Sequence, residues 1–110
     1  MLYIEGNTIK LTRGDTAYLT VPIKLATEEE YTMQSGDTLV MSVKKSINDE
    51  HYAFQKQATN GNTIHIEPAD TEQLAFGKYK YDIQLNTADG DVYTLIDVDV
   101  FELLPEVTCK

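Results

Sequence analysis

Histidine is the side chain whose proton moves near neutrality, and this 110-residue chain has two, His51 and His65. General acid–base work needs each of them beside a positioned partner. His65 stands between Ile64 and Ile66, where strand alternation turns it to the wet face, and His51 follows Glu50 in a polar connection. Neither has a serine or cysteine placed with the logic of a catalytic triad. Asp82, Asp89, Asp91, Asp97 and Asp99 offer the oxygen ligands that calcium takes. Yet Asp89-Gly90-Asp91 lacks the rest of an EF-hand loop, and Asp97 and Asp99 alternate with apolar residues as solvated strand carboxylates do. The single cysteine, Cys109, has no partner for an internal disulfide, and a reactive thiol would need a base and an electropositive pocket. There is no glycine-rich phosphate loop and no Cys/His metal spacing. The expectation is a protein that is not an enzyme and holds no metal or cofactor.

Two further patterns invite a binding role. Arg13-Gly14-Asp15 spells an integrin-recognition tripeptide, but Gly-Asp-Thr returns at Gly36-Asp37-Thr38 with serine in place of arginine. A repeated turn, with Gly14 and Gly36 supplying positive φ and Asp15 and Asp37 capping, accounts for both copies. Seven tyrosines suggest stacking on sugar rings. Tyr79 and Tyr81 fall on an inward parity, which leaves Tyr3, Tyr18, Tyr31, Tyr52 and Tyr93 as surface rings drawn from distant segments.

The elements that must position these residues are strands. Leu19, Val21, Ile23 and Leu25 alternate with polar neighbours, as do Leu39, Met41 and Val43, and this period of two marks a strand with one buried face. Tyr52 to Lys56 gives a further strand. Asn60-Gly61-Asn62 reads as a hairpin turn leading to Ile64 and Ile66, before Pro68 stops the run. Asp70 to Leu74 reads as one helical turn capped by Asp70. From Gly77, the residues Tyr79, Tyr81, Ile83 and Leu85 share an inward face, and Ala88-Asp89-Gly90-Asp91 turns the chain again. In the last strand Val92, Thr94 and Ile96 hold one parity but Phe101 and Leu103 the other, which predicts a bulge near Asp97-Val98-Asp99. With an early strand over Ile9 to Leu11, and Leu2 to Ile4 as a candidate extension of it, the total is about seven strands with regular turn signals. That is the pattern of an immunoglobulin-like, two-sheet antiparallel sandwich, with an open barrel as the alternative fold. The segment running through Gly77 to Tyr79 matches the corner at which such domains tie a tyrosine hydroxyl back to the backbone.

Length and charge bound the partners. One core commonly organises about 100–150 residues, so residues 1–110 read as a single all-β domain. Acidic residues outnumber basic ones 18 to 9, for a formal net charge of −9. Such a surface repels phosphate backbones and anionic lipid, so neither nucleic acid nor a membrane is an expected partner. The N-terminus has no basic segment followed by an apolar stretch, so folding in the cytoplasm of the producing cell is expected.

The order of signals along nearly the whole chain carries a resemblance. It runs from Leu11-Thr12-Arg13-Gly14-Asp15-Thr16 through Gly36-Asp37-Thr38, Val43-Lys44-Lys45 and Ile66-Glu67-Pro68-Ala69-Asp70-Thr71. It continues with Gly77-Lys78-Tyr79-Lys80-Tyr81-Asp82-Ile83 and ends at Glu106-Val107-Thr108. This resembles small structural proteins of phages and prophages of Gram-positive bacteria, and is similar to the immunoglobulin-like domain that begins phage baseplate upper proteins. The resemblance implies a virion component of tail or baseplate, assembled in the bacterial host cytoplasm and contacting other virion proteins. It supplies no catalytic or ligand residues. Those proteins continue into coiled-coil or receptor-facing regions that do not follow here, which leaves an accessory or docking role. Val98, Val100, Phe101, Leu103 and Leu104 bring more apolar side chains than one buried face absorbs and form the candidate interface, for a neighbour or for a homo-oligomer built through unpaired edges. A carbohydrate-binding module at a bacterial surface is the alternative.

Overall fold

Alternating apolar side chains fix which way each strand faces, and the fold follows that alternation closely. A computed structural model describes residues 2–24, 31–59 and 61–107. These form eight strands: β1 (Leu2–Glu5), β2 (Thr8–Thr12), β3 (Ala17–Thr20), β4 (Thr38–Lys44), β5 (Phe54–Ala58), β6 (Thr63–Ile66), β7 (Gly77–Asn86) and β8 (Val92–Leu104). One helical turn, α1 (Pro68–Thr71), separates β6 from β7. Six strands make a mixed sheet in the order β1-β2-β8-β7-β4-β5, and β3 pairs with β6 in a second sheet. The protein is all-β.

The core lies between the two layers. Leu39, Met41 and Val43 from β4 and Tyr79, Tyr81, Ile83 and Leu85 from β7 are buried, as their spacing predicts. They meet Leu19, Ile64 and Ile66 from the smaller sheet. Val21 and Ile23 are buried as well, although β3 ends at Thr20 just before Pro22. Leu25 and Cys109 lie outside the described residues.

Four sequence expectations are corrected. First, the sheet is not wholly antiparallel, because β2 runs parallel to β8, with Ile9 opposite Phe101 and Leu11 opposite Leu103. Alternation reports which face a side chain takes and is blind to the direction of the neighbouring strand. Second, the segment after β5 is no hairpin: β5 pairs with β4 while β6 pairs with β3, so the chain there passes from one layer to the other. Third, the helical turn begins at Pro68, two residues before Asp70. The Asp70 carboxylate accepts from the Glu67 N–H behind it, at 2.7 Å.

The fourth correction concerns the last strand. Along the β7–β8 ladder Tyr81 faces Asp99, Ile83 faces Ile96 and Gln84 faces Thr94, so two successive steps each insert one extra β8 residue. The predicted bulge is there, and a second irregularity adjoins it. Together they turn Thr94 outward beside Gln84 while Ile96 sits opposite Ile83, so the predicted shared parity of Val92, Thr94 and Ile96 is broken. Beyond the bulge Phe101 and Leu103 point into the core and are 0% and 1% exposed. They are core residues with no surface to offer an interface, because their parity beyond the bulge turns them to the inner face, where Phe101 meets Phe54 and Tyr81. Of the five apolar positions singled out there, Val98 is exposed and Val100 and Leu104 are half-buried.

Candidate functional site

Three corners anchor the layers. At the first, Gly14 adopts φ 81° and its N–H donates to the Thr71 hydroxyl at 2.8 Å. The Asp15 N–H closes the turn onto the Thr12 carbonyl at 3.1 Å. Beside it the Arg13 guanidinium donates to Glu106 at 2.6 Å and to the Leu74 carbonyl at 3.0 Å, and lies over the Phe76 ring. The positive φ of Gly14 fits the turn reading of Arg13-Gly14-Asp15, and an arginine held this way on three sides adds a structural clamp that the reading did not include.

At the second corner Gly36 adopts φ 91° and Asp37 is buried. One Asp37 oxygen accepts from the Tyr31 hydroxyl at 2.5 Å and the Gln34 N–H at 2.9 Å, and the other from the Ala88 N–H at 3.0 Å. These donors, the tyrosine first, hold the Asp37 carboxyl below the ordinary carboxylate range. The same bond raises the Tyr31 hydroxyl to about 12.

The third corner follows α1. The chain re-enters the large sheet at Gly77 with φ 133°, and the Tyr79 hydroxyl donates back to the Ala75 carbonyl at 2.7 Å. Lys45 lies over the Tyr79 ring and donates to the Lys78 carbonyl. Tyr81 reaches the Asn7 carbonyl in the β1–β2 turn, and burial raises its hydroxyl to about 12.

None of these groups converges on a common point. His65 stacks on exposed Tyr18 at 4.4 Å on the outside of the small sheet, while His51 is exposed in the loop before β5. Among the described residues no three His, Cys, Asp or Glu side chains group closely enough to hold a metal ion. No helix among them is long and apolar enough to cross a membrane. Tyr3, Tyr18 and Tyr93 are exposed on three different strands and Tyr52 in the β4–β5 connection.

A concavity does lie on the outer face of the large sheet. It is a trough of about 450 Å³ over β5, β4 and β7. Cross-strand register arranges its floor in rows: Gln57–Val40–Gln84, then Gln55–Ser42–Asp82, then Lys44 beside Lys80. Ile47 and Tyr52 from the β4–β5 connection line it together with Val98 at the bulge. Lys44 lies 5.3 Å from the centre of the Tyr52 ring, and the Gln55 amide donates to Ser42 at 2.8 Å. Burial pushes the Asp82 carboxyl up, and Lys44 partly offsets that.

Sequence reasoning placed Asp82 and Gln84 on the wet face correctly but gave that face no role. The signal was two strands with amides on their outward parity; what was missing was that both flank β4. Searches against protein-family models, curated proteins and solved structures found no match for the chain.

Proposed function

We propose that the chain is an immunoglobulin-like sandwich serving as a non-enzymatic docking module of a phage or prophage particle, in its tail or baseplate. The topology supports the first part. The succession β2-β8-β7-β4-β5 facing β3-β6, with β2 parallel to β8, resembles a variable-type arrangement whose smaller sheet keeps two of its four strands, with β1 added at the edge of the larger sheet. The Tyr79 hydroxyl bonded to a carbonyl four residues upstream supplies the corner such domains carry.

The observation that carries docking is the bare edge of β8. Its C-terminal part is covered by β2 at residues 101–104, whereas among the described residues the stretch from Val92 to Val98 pairs with β7 alone. Val92, Tyr93 and Val98 are exposed along it. An uncovered edge with apolar side chains accepts a strand from a neighbour, and the backbone hydrogen bonds supply the attachment. A neighbouring virion protein is the occupant proposed. The perturbed groups Tyr31, Asp37 and Tyr81 are bonded within the corners, which supports a structural role over a reactive one.

The test is to purify particles from a producing host and measure the chain's copy number by mass spectrometry, with wild type and Val92→Asp compared. A fixed copy number for wild type and loss of the variant are expected. Absence from particles overturns the virion assignment. Equal incorporation of a folded Val92→Asp chain overturns the edge.

A further inference from the structure

We propose that the outer trough of the large sheet is a binding site for a neutral oligosaccharide. Its floor has the chemistry for that ligand. Gln57 and Gln84 flank Val40 in one row, and adjacent strands are about 4.8 Å apart, so the two amides stand roughly 10 Å apart across an aliphatic centre. Each amide offers both a donor and an acceptor, which matches hydroxyls that do both. Among the described residues Gln57, Gln84 and Asn86 make no side-chain hydrogen bond within the chain, so their capacity faces the trough. Val40 and Tyr52 provide the apolar surface against which the C–H face of a sugar ring packs. From Thr38 to Lys44 the floor runs roughly 20 Å, enough for several rings in line.

Other ligand classes fit less well. A nucleic acid strand needs cations along its whole length, and here Lys44 and Lys80 share one end with Asp82 close by. A protein partner needs buried aromatic or aliphatic anchors, whereas the central rows are mostly amide and hydroxyl. The local charge, two lysines against one aspartate, is nearly balanced inside a chain of net charge −9. A near-neutral trough in an acidic surface suits an uncharged ligand.

The trough and the docking edge share Val98, but Val92 stands on the edge alone and does not line the trough, so a change at Val92 separates the two. The experiment is amide-resolved NMR titration of the full chain with glucose, galactose, rhamnose and N-acetylglucosamine oligosaccharides, with a glycerol phosphate polymer as the anionic arm. Saturable shifts at Gln55, Gln57, Gln84 and Asn86 with a neutral probe are expected. Gln57→Ala and Gln84→Ala should each weaken binding about fivefold to tenfold with an unchanged Tm, and Val92→Asp should leave it intact. Three results overturn the assignment: no saturable shift at 10 mM of any neutral probe; saturable shifts located away from the trough; or binding of the phosphate polymer alone, suppressed by salt.

Discussion

Gly14-Asp15-Thr16 and Gly36-Asp37-Thr38 share their residues and their bend, yet they are tied into the molecule by different chemistry. Both glycines are left-handed, at φ 81° and 91°. The first corner is anchored through the Gly14 N–H on Thr71 and the neighbouring Arg13 on Glu106 and Leu74. The second is anchored through the Asp37 carboxylate, which gathers donors from Tyr31, Gln34 and Ala88. The tripeptide therefore encodes a change of direction, because glycine tolerates positive φ. What the bend holds on to is decided by residues far along the chain.

The largest expected effect breaks the second corner. Asp37→Ala leaves two backbone N–H groups and a tyrosine hydroxyl without their acceptor, and Tm should fall by roughly 15 °C in thermal unfolding followed by circular dichroism. Because the folded Asp37 carboxyl lies below its ordinary 3.8, its contribution is present above that pH and is lost as pH falls through the lower folded value. Asp37→Asn should therefore flatten the acid limb of a stability profile taken from pH 5 to pH 2. Tyr31 works with the opposite sign. Its hydroxyl is raised from 10.0 to about 12, so its contribution is complete below pH 10 and is lost as pH rises through 12. Tyr31→Phe should remove its share of the alkaline decline and leave that of Tyr81, which is also raised to about 12, and an unchanged limb would show that the Asp37 bond carries no stability.

The two glycines sharpen the comparison, since the same substitution meets different surroundings. A Cβ on Gly14 would find nothing within 4 Å, whereas one on Gly36 would lie 2.8 Å from the Ala88 Cβ. Gly14→Ala should cost about 1 kcal/mol, the strain of positive φ alone. Gly36→Ala should cost about 2–3 kcal/mol, because Ala88 must also move. Adding Ala88→Gly to Gly36→Ala should restore the difference, and a double-mutant cycle in urea measures it. Equal costs at the two glycines would mean that the crowding at Ala88 relaxes freely.

Faces were legible in the sequence and neighbours were not. Tyr79, Tyr81, Ile83 and Leu85 could be assigned to the core from spacing alone, because a pleated strand has only two sides. The bulge was legible because Phe101 and Leu103 contradict the parity of the residues before it. Its second step was hidden, since Val92 and Ile96 on one parity and Tyr93 and Leu95 on the other are all apolar, so nothing marks which side Thr94 takes. The parallel β2–β8 ladder was beyond reach, because Ile9 and Leu11 alternate identically whichever way their partner runs. The trough was lost for the same reason. Gln57 and Gln84 are 27 residues apart and meet across Val40 only once the strand order places β4 between β5 and β7.

The smallest expected effect belongs to the first corner. Arg13 and Glu106 are 23% and 17% exposed at their side chains, so solvent screens the pair only in part. A lysine at position 13 keeps the charge but loses the planar fork and its packing over the Phe76 ring. Arg13→Lys should lower stability by about 1 kcal/mol, a Tm shift of about 5 °C for a domain of this size. The deficit should change little between 50 mM and 500 mM NaCl, because fork geometry and packing are lost while the charge remains. A deficit that vanishes at high salt would mean that the clamp is coulombic. A fall as large as that of Asp37→Ala would mean that the two corners are tied with equal strength and that their different anchors make no energetic difference.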